Sequence, residues 1–176
     1  MQDWDPMNEG IEIRPRVDGD VDACARLLVE VHERDGYPVE GVADPHGWLV
    51  LGDTGRAWVA VVEGNVAGHV GLGPAGDGGA VELWKARYGS EERPFASIGR
   101  LFVAPAARGR GVARALLERA VSAGRRQGRQ LVLEVMEKDR AAIRLYEHLG
   151  WECIGRLDHV VGAGARVPAL AYALPG

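Results

Sequence analysis

The first apolar residues, Ile11-Glu12-Ile13-Arg14, alternate with polar ones at period two and run into Pro15, which predicts an opening strand. Val21, Ala25, Leu27, Leu28 and Val31 then recur at helical spacing, with Asp18 or Asp20 available as N-cap and Gly36 and Pro38 as the stop. The segment 39–55 holds Trp48, Leu49 and Leu51 and admits a second short helix before a turn at Gly52–Gly55. Ala57–Val62 and Val66–Leu72, divided by Glu63-Gly64-Asn65, predict a hairpin. Glycines and a proline make 73–79 a loop, and Val81–Tyr88 admits one or two turns of helix before Pro94. Ser97–Val103 is the next strand, closed by Ala104-Pro105.

The best-defined helix follows. Val112, Leu116 and Ala120, flanked by Ala113, Leu117 and Val121, form one apolar stripe with Arg110, Arg114 and Glu118 off it, closing near Gly124 or Gly128. Leu131–Val135 has the apolar run of a buried parallel strand, so 97–135 is expected to be a right-handed strand-helix-strand crossover. Ala141, Ile143, Leu145, Tyr146 and Leu149 predict a helix capped by Asp139 and ended by Gly150. Trp151–Leu157 and Val167–Leu174 form an expected antiparallel pair through Gly162-Ala163-Gly164. This order gives an α/β fold with a mixed, mostly antiparallel sheet, a central parallel crossover and flanking helices. Residues 1–10 read as a polar lead-in and 11–176 as a single domain.

Composition narrows the class. The 176 residues suit one domain, and 47% hydrophobic with 26% charged residues exclude a disordered or collagen-like chain. Cys24 and Cys153 provide neither zinc spacing nor a disulfide framework; both read as small core side chains, in keeping with a reducing, cytoplasmic setting. The acidic start Met1-Gln2-Asp3-Trp4-Asp5 lacks the apolar core of a leader, and no apolar run reaches the roughly 18 residues of a membrane helix. The net charge of −4 conceals an asymmetry. Residues 100–129 contain eight arginines against Glu118 alone, so the rest of the chain is markedly acidic. A local anion site would explain this, and so would a solvated arginine face.

Arg108-Gly109-Arg110-Gly111-Val112-Ala113 joins a strand to a helix start. Helix starts carry unpaired N–H groups and about half a positive charge, and glycines let a phosphate approach the main chain. Arg108, Arg110 and Arg114 oppose that dipole unless an anion sits among them. A dinucleotide fingerprint is excluded because Arg114 occupies its last small position, and a P-loop because the only lysines are Lys85 and Lys138.

Three blocks in order and spacing, Leu101-Phe102-Val103-x-Pro105-x-x-Arg108-Gly109-Arg110-Gly111-Val112-Ala113, Leu133-Glu134-Val135, and Ala141-Ala142-Ile143-x-Leu145-Tyr146-Glu147-x-Leu149-Gly150-Trp151, resemble the GNAT superfamily of acyl-CoA-dependent N-acetyltransferases. The resemblance implies that the N–H groups of 109–114, including Arg114, hold the CoA pyrophosphate. It also implies that the backbone of Leu101, Phe102 and Val103 pairs with the pantetheine as a strand would, and that Asp139 stands where an asparagine usually contacts it. The implied cosubstrate is acetyl-CoA, with no metal, and the implied reaction is direct attack by a primary amine in a ternary complex. Homodimers are common in the superfamily.

The transfer needs a deprotonated amine, a polarised thioester and a proton for the leaving thiolate. By resemblance Tyr146 is the general acid. Glu134, a carboxylate on an apolar strand, needs a partner or a raised pKa; that suits a general base and equally a salt bridge. Ser97 stands where many members carry an acid, which leaves Glu134, a water chain, Glu82 or Glu92 as the base. His69 and His159 are candidates to line the acceptor pocket, Asp35 and Tyr37 to touch the acceptor, and Trp84 to act from a loop. The acidic remainder favours a cationic acceptor. Two other classes compete. One is an acyl-CoA-binding regulatory module without catalysis. The other is a nucleic-acid-binding helix, for which Phe102 is the only aromatic near the basic face.

Overall fold

Seven strands follow one another across the sheet in the order β1-β2-β3-β4-β5-β7-β6 in the computed structural model, which describes residues 10–176. The lead-in expected over 1–10 therefore lies, apart from Gly10, outside the described residues. The chain forms two compact units: one comprises the segment through Gly71 together with Arg100–Ala120, the other Leu72–Gly99 with Val121–Gly176.

In the first unit β1 (Ile11–Pro15) runs antiparallel to β2 (Arg56–Val62), in register from Ile11↔Val62 to Pro15↔Trp58. Helix α1 (Val21–Asp35) buries Cys24, Ala25, Leu27, Leu28 and Val31 against Leu49, Val59 and Phe102. Gly36 ends it in the left-handed conformation, its N–H reaching the His32 carbonyl at 2.8 Å. Its start departs from expectation. Asp20 occupies the N-cap position without capping; its carboxylate instead accepts from Val17 N at 2.8 Å and from both terminal nitrogens of Arg14 at 2.7 and 2.8 Å. The Arg14 hydrogen bonds hold that carboxyl below its usual range.

The short helix of the 39–55 segment is α2 (Pro45–Trp48), capped by Asp44, which accepts from Gly47 N at 2.9 Å. The hairpin of β2 and β3 (Asn65–Pro74) turns at Glu63 and Gly64, with φ of 51° and 79°, the positive pair of a primed turn. Gly68 on β3 lies against α4 (Val112–Arg126): a Cβ there would meet Leu116 Cδ1 at 2.9 Å, Val112 Cγ1 at 3.1 Å and the Phe102 carbonyl at 3.2 Å. Val112, Leu116 and Ala120 are buried, as their stripe predicts.

In the second unit the first residues of β4 (Phe95–Val103) pair in parallel with β5 (Gln130–Met136), Phe95↔Gln130 to Ser97↔Val132. Strand β7 (Ala165–Ala173) runs antiparallel to both β5 and β6 (Glu152–Val161). The β6–β7 turn uses Gly162 and Gly164, and β6 bulges between Cys153 and Gly155. Helix α3 (Gly79–Tyr88) begins earlier than the expected one or two turns and packs Ala80, Val81 and Trp84 on Phe95, Val132, Ile154 and Ala171. Trp84 is thus a core residue rather than a loop residue, and Cys153, expected inside, is exposed. Helix α5 (Arg140–His148) follows β5. No helix among the described residues is long and apolar enough to cross a membrane.

Candidate active site

Pro105–Ala107 forms a single tight turn after β4; Arg108 is extended, Gly109 and Gly111 take φ of 77° and 81°, and α4 begins at Val112. The first helical bond of α4 runs from Ala115 N to the Gly111 carbonyl, 3.0 Å. The amides of Val112, Ala113 and Arg114 therefore belong to the first turn, where no intrahelical acceptor exists. A Cβ built on Gly109 or Gly111 would meet nothing within 4 Å, so the main chain is open on the side a side chain would cover. This donor set fits a pyrophosphate: successive N–H groups, glycine access and a positive helix end.

The arginines of this turn do different things. Arg108 pairs with Asp35 at the end of α1 and reaches the Val103 carbonyl from Nε and Nη2, both at 3.4 Å, so its side chain braces the turn. Arg114 Nε meets Glu118 at 2.8 Å, an i,i+4 pair. Arg110 is exposed, with its Nη2 beside Gly10. The later arginines contact other protein groups: Arg125 reaches the Pro175 carbonyl at 3.3 Å, and Arg126 the Ser122 hydroxyl at 2.9 Å.

Upstream, Arg100 has φ of 51° in the middle of β4, a conformation residues with a Cβ rarely adopt. Leu101 is half-buried, while Phe102 and Val103 are buried. His69, expected to line an acceptor pocket, is instead wholly enclosed, its ring stacked on Phe102 at 5.1 Å between centroids. Its Nδ1 lies 2.8 Å from the Arg100 carbonyl and its Nε2 2.9 Å from Arg16 Nη1. Burial pushes this imidazole down to about 4, so it is neutral. Sequence patterning gave no hint of this cluster; a histidine between Gly68 and Val70 and an arginine with positive φ carry no local signature. Tyr37, Trp48 and Phe102 form an aromatic group with centroids 5.8–6.5 Å apart, and the Arg100 guanidinium lies 5.3 Å over Trp48.

The second unit carries Glu134 and Tyr146. Glu134 is exposed on β5 opposite Ala171. Its Oε1 accepts from Ala80 N at 3.1 Å, so it is partnered by the start of α3 although its exposure does not require a partner. Gly79, with φ of 51°, makes the approach possible, since a Cβ there would stand 2.5 Å from that oxygen. Tyr146, only 7% exposed on α5, packs against Trp151 and Tyr172 with centroids 6.2 and 6.3 Å away. Burial, reinforced by the charge of Asp139, raises its phenol well above the usual value and keeps it protonated. Asp139 stands at the N-cap of α5 but does not cap it; its carboxylate pairs with Lys138 at 2.8 Å, because the ammonium outcompetes a neutral amide. Ser97 is half-buried opposite Val132, and Glu82 and Glu92 are exposed. No group of His, Cys, Asp and Glu suited to a metal occurs among the described residues.

A family model described as Acetyltransferase (GNAT) family matches residues 22–151, which take in the glycine turn, Glu134 and Tyr146. The chain belongs to this family and is an acyltransferase. Among curated proteins it is 31% identical over 153 residues to the uncharacterized N-acetyltransferase YjgM of Escherichia coli (strain K12), with 82% of each chain covered. Among solved structures it is similar to Arabidopsis thaliana NAA60 in complex with acetyl-CoA, with TM-score 0.69, 24% identity, and coverage of 93% of this chain and 97% of that one. The ribosomal-protein-alanine N-acetyltransferase of Brucella melitensis gives TM-score 0.69, 23% identity and coverage of 92% and 98%. These two likenesses concern the fold.

Proposed function

We propose that the chain is an N-acetyltransferase that moves the acetyl group of acetyl-CoA to a primary amine of a small molecule or peptide, by direct attack in a ternary complex. The observation that carries this reading is the turn before α4: two glycines at positive φ leave the first-turn amides open to a pyrophosphate, inside the segment matched by the acetyltransferase family. The amides of 109–114 take the pyrophosphate, with Arg108 bracing the turn, Arg110 and Arg114 adding positive charge, and Val112 and Ala113 supplying first-turn N–H groups. The main chain of Leu101, Phe102 and Val103 takes the pantetheine arm as an added strand.

The cosubstrate brings an activated thioester carbonyl and a sulfur that leaves as thiolate. Tyr146 holds its proton because of its burial and is the donor to that sulfur. Glu134 spends Oε1 on Ala80 N and offers Oε2 to the amine proton, directly or through water. Asp139, tied to Lys138, is a weaker contact to the pantetheine than the family's usual amide, since an ionised carboxylate only accepts. The acidic remainder of the chain favours an acceptor that arrives as a cation.

The reading is tested by acetyl-CoA-dependent thiol release over a panel of polyamines, aminoglycosides, amino acids and peptides. Release with at least one amine is expected. Tight acetyl-CoA binding with no release on any amine would instead leave an acyl-CoA-binding module.

A further inference from the structure

We infer that His69 is a positioning residue for the acyl donor: from within the core it holds the Arg100 carbonyl and so sets the main chain of Leu101–Val103 in the orientation that receives the pantetheine. This rests on the proposed placement of the pantetheine along those residues.

Which atoms can donate fixes the bond network. A guanidinium has no acceptor, so the 2.9 Å contact from Arg16 Nη1 makes His69 Nε2 the acceptor. The ring proton of the neutral imidazole must then be on Nδ1, where it is donated to the Arg100 carbonyl 2.8 Å away. Arg16 is itself held in place, since the same Nη1 donates to the Leu49 carbonyl at 3.0 Å. The stack on Phe102 fixes the plane of the ring. A chain of directed bonds thus runs from the end of β1 through the core to one carbonyl of β4.

That carbonyl belongs to the residue with φ of 51°. A side-chain-bearing residue keeps such a conformation only when its surroundings over-determine it. The side chain of Arg100 is tethered by Nε to the Trp48 carbonyl at 2.7 Å and lies over the Trp48 ring. These contacts hold the side chain; His69 is what holds the carbonyl. The turn of the peptide at Arg100 decides which way the N–H and C=O groups of the next three residues face. A histidine with both ring nitrogens occupied and no exposure does no proton transfer of its own, so its chemistry is spent on orientation.

The test exploits the different reach of two amides. Asparagine places its NH2 near the Nδ1 position and can still donate to the Arg100 carbonyl. Glutamine places its amide near the Nε2 position and keeps Arg16 while abandoning that carbonyl. Dissociation constants are measured by calorimetry for acetyl-CoA and for adenosine 3′-phosphate 5′-diphosphate, which carries the pyrophosphate without the pantetheine. His69→Gln is expected to weaken acetyl-CoA binding roughly tenfold and His69→Asn less than about threefold, with nucleotide affinity unchanged in both. Equal loss in the two variants, no loss in either, or a parallel fall in nucleotide affinity would overturn the inference. A wild-type protein that binds acetyl-CoA no more tightly than the nucleotide would overturn the pantetheine placement itself, a separate result. In the unaltered protein, nitrogen-15 NMR of the imidazole is expected to show the proton on Nδ1; a proton on Nε2 would refute the bond network whether or not the variants fold.

Discussion

In the proposed reading the two units contribute different parts of the polypeptide, one its main chain and the other its side chains. In the first, the groups assigned to the acyl donor are main-chain ones: the amides around Gly109 and Gly111 and the strand Leu101–Val103, with side chains such as Arg108 and His69 as the proposed braces behind them. In the second, the groups proposed for the chemistry are side chains, the Glu134 carboxylate and the Tyr146 phenol, and the main chain serves as anchor, as when Ala80 N fixes one oxygen of Glu134. The lesson is that substitutions should separate cleanly. Damage to the first unit should appear in affinity for the acyl donor, and damage to the second in turnover.

The sharpest test is Tyr146→Phe, which removes only a hydroxyl from a ring otherwise packed on Trp151 and Tyr172. We expect kcat to fall by about 10²–10⁴ with acetyl-CoA affinity retained; an unchanged rate under steady-state assay would break the comparison by making Tyr146 a packing residue. Glu134→Gln keeps an oxygen for Ala80 N and loses the basic carboxylate, so kcat should fall by about 10² with little change in melting temperature. A wild-type rate there would reassign Glu134 to anchoring α3. On the other side of the comparison, Gly111→Val forces a β-branched residue to φ of 81° and should weaken acetyl-CoA binding by about tenfold or more, measured by calorimetry.

The smallest expected effect is on pH. His69, faced by Arg16 from the end of β1 and Arg100 from β4, titrates near 4 in the fold against about 6.5 when unfolded. The unfolded chain binds the extra proton between those values. The stabilisation is therefore fully present above about pH 6.5 and lost as pH falls towards 4, at no more than about 1.4 kcal/mol per pH unit. Melting curves across that window should show a shallower slope in His69→Asn than in the wild type, the remainder coming from carboxyls such as Asp20 that the fold holds below their usual range.

Much of the fold was legible because periodicity reports burial. The stripe Val112, Leu116, Ala120 says which side of its helix meets the core, and Glu63-Gly64 between two apolar runs marks the hairpin turn. The glycine turn was legible for a related reason: Gly109 and Gly111 are chosen for a backbone shape, and backbone shape is written locally. What escaped depends on partners distant in sequence. Asp20 looked like a cap and is claimed by Arg14; Asp139 likewise is claimed by Lys138. Trp84 stood in a glycine-rich neighbourhood, yet α3 carries it into a core built from β4 to β7. An acid on an apolar strand suggests a partner, but nothing near Glu134 names Ala80, which is 54 residues away. Arg100 was the least visible, since an arginine with positive φ is a property of its surroundings.

Gly68 has a consequence for how this chain can drift. It holds β3 close enough to α4 that one added carbon would strike Leu116, Val112 and the Phe102 carbonyl together. Val112 opens the turn, and Phe102 lies on the strand, that the proposed function assigns to the acyl donor, so a methyl group hidden in the core would press on the proposed binding surface from behind. Replacing this glycine is made easier by prior trimming of Leu116 or Val112, which makes the order of mutations, and not just their sum, matter to how the chain can change.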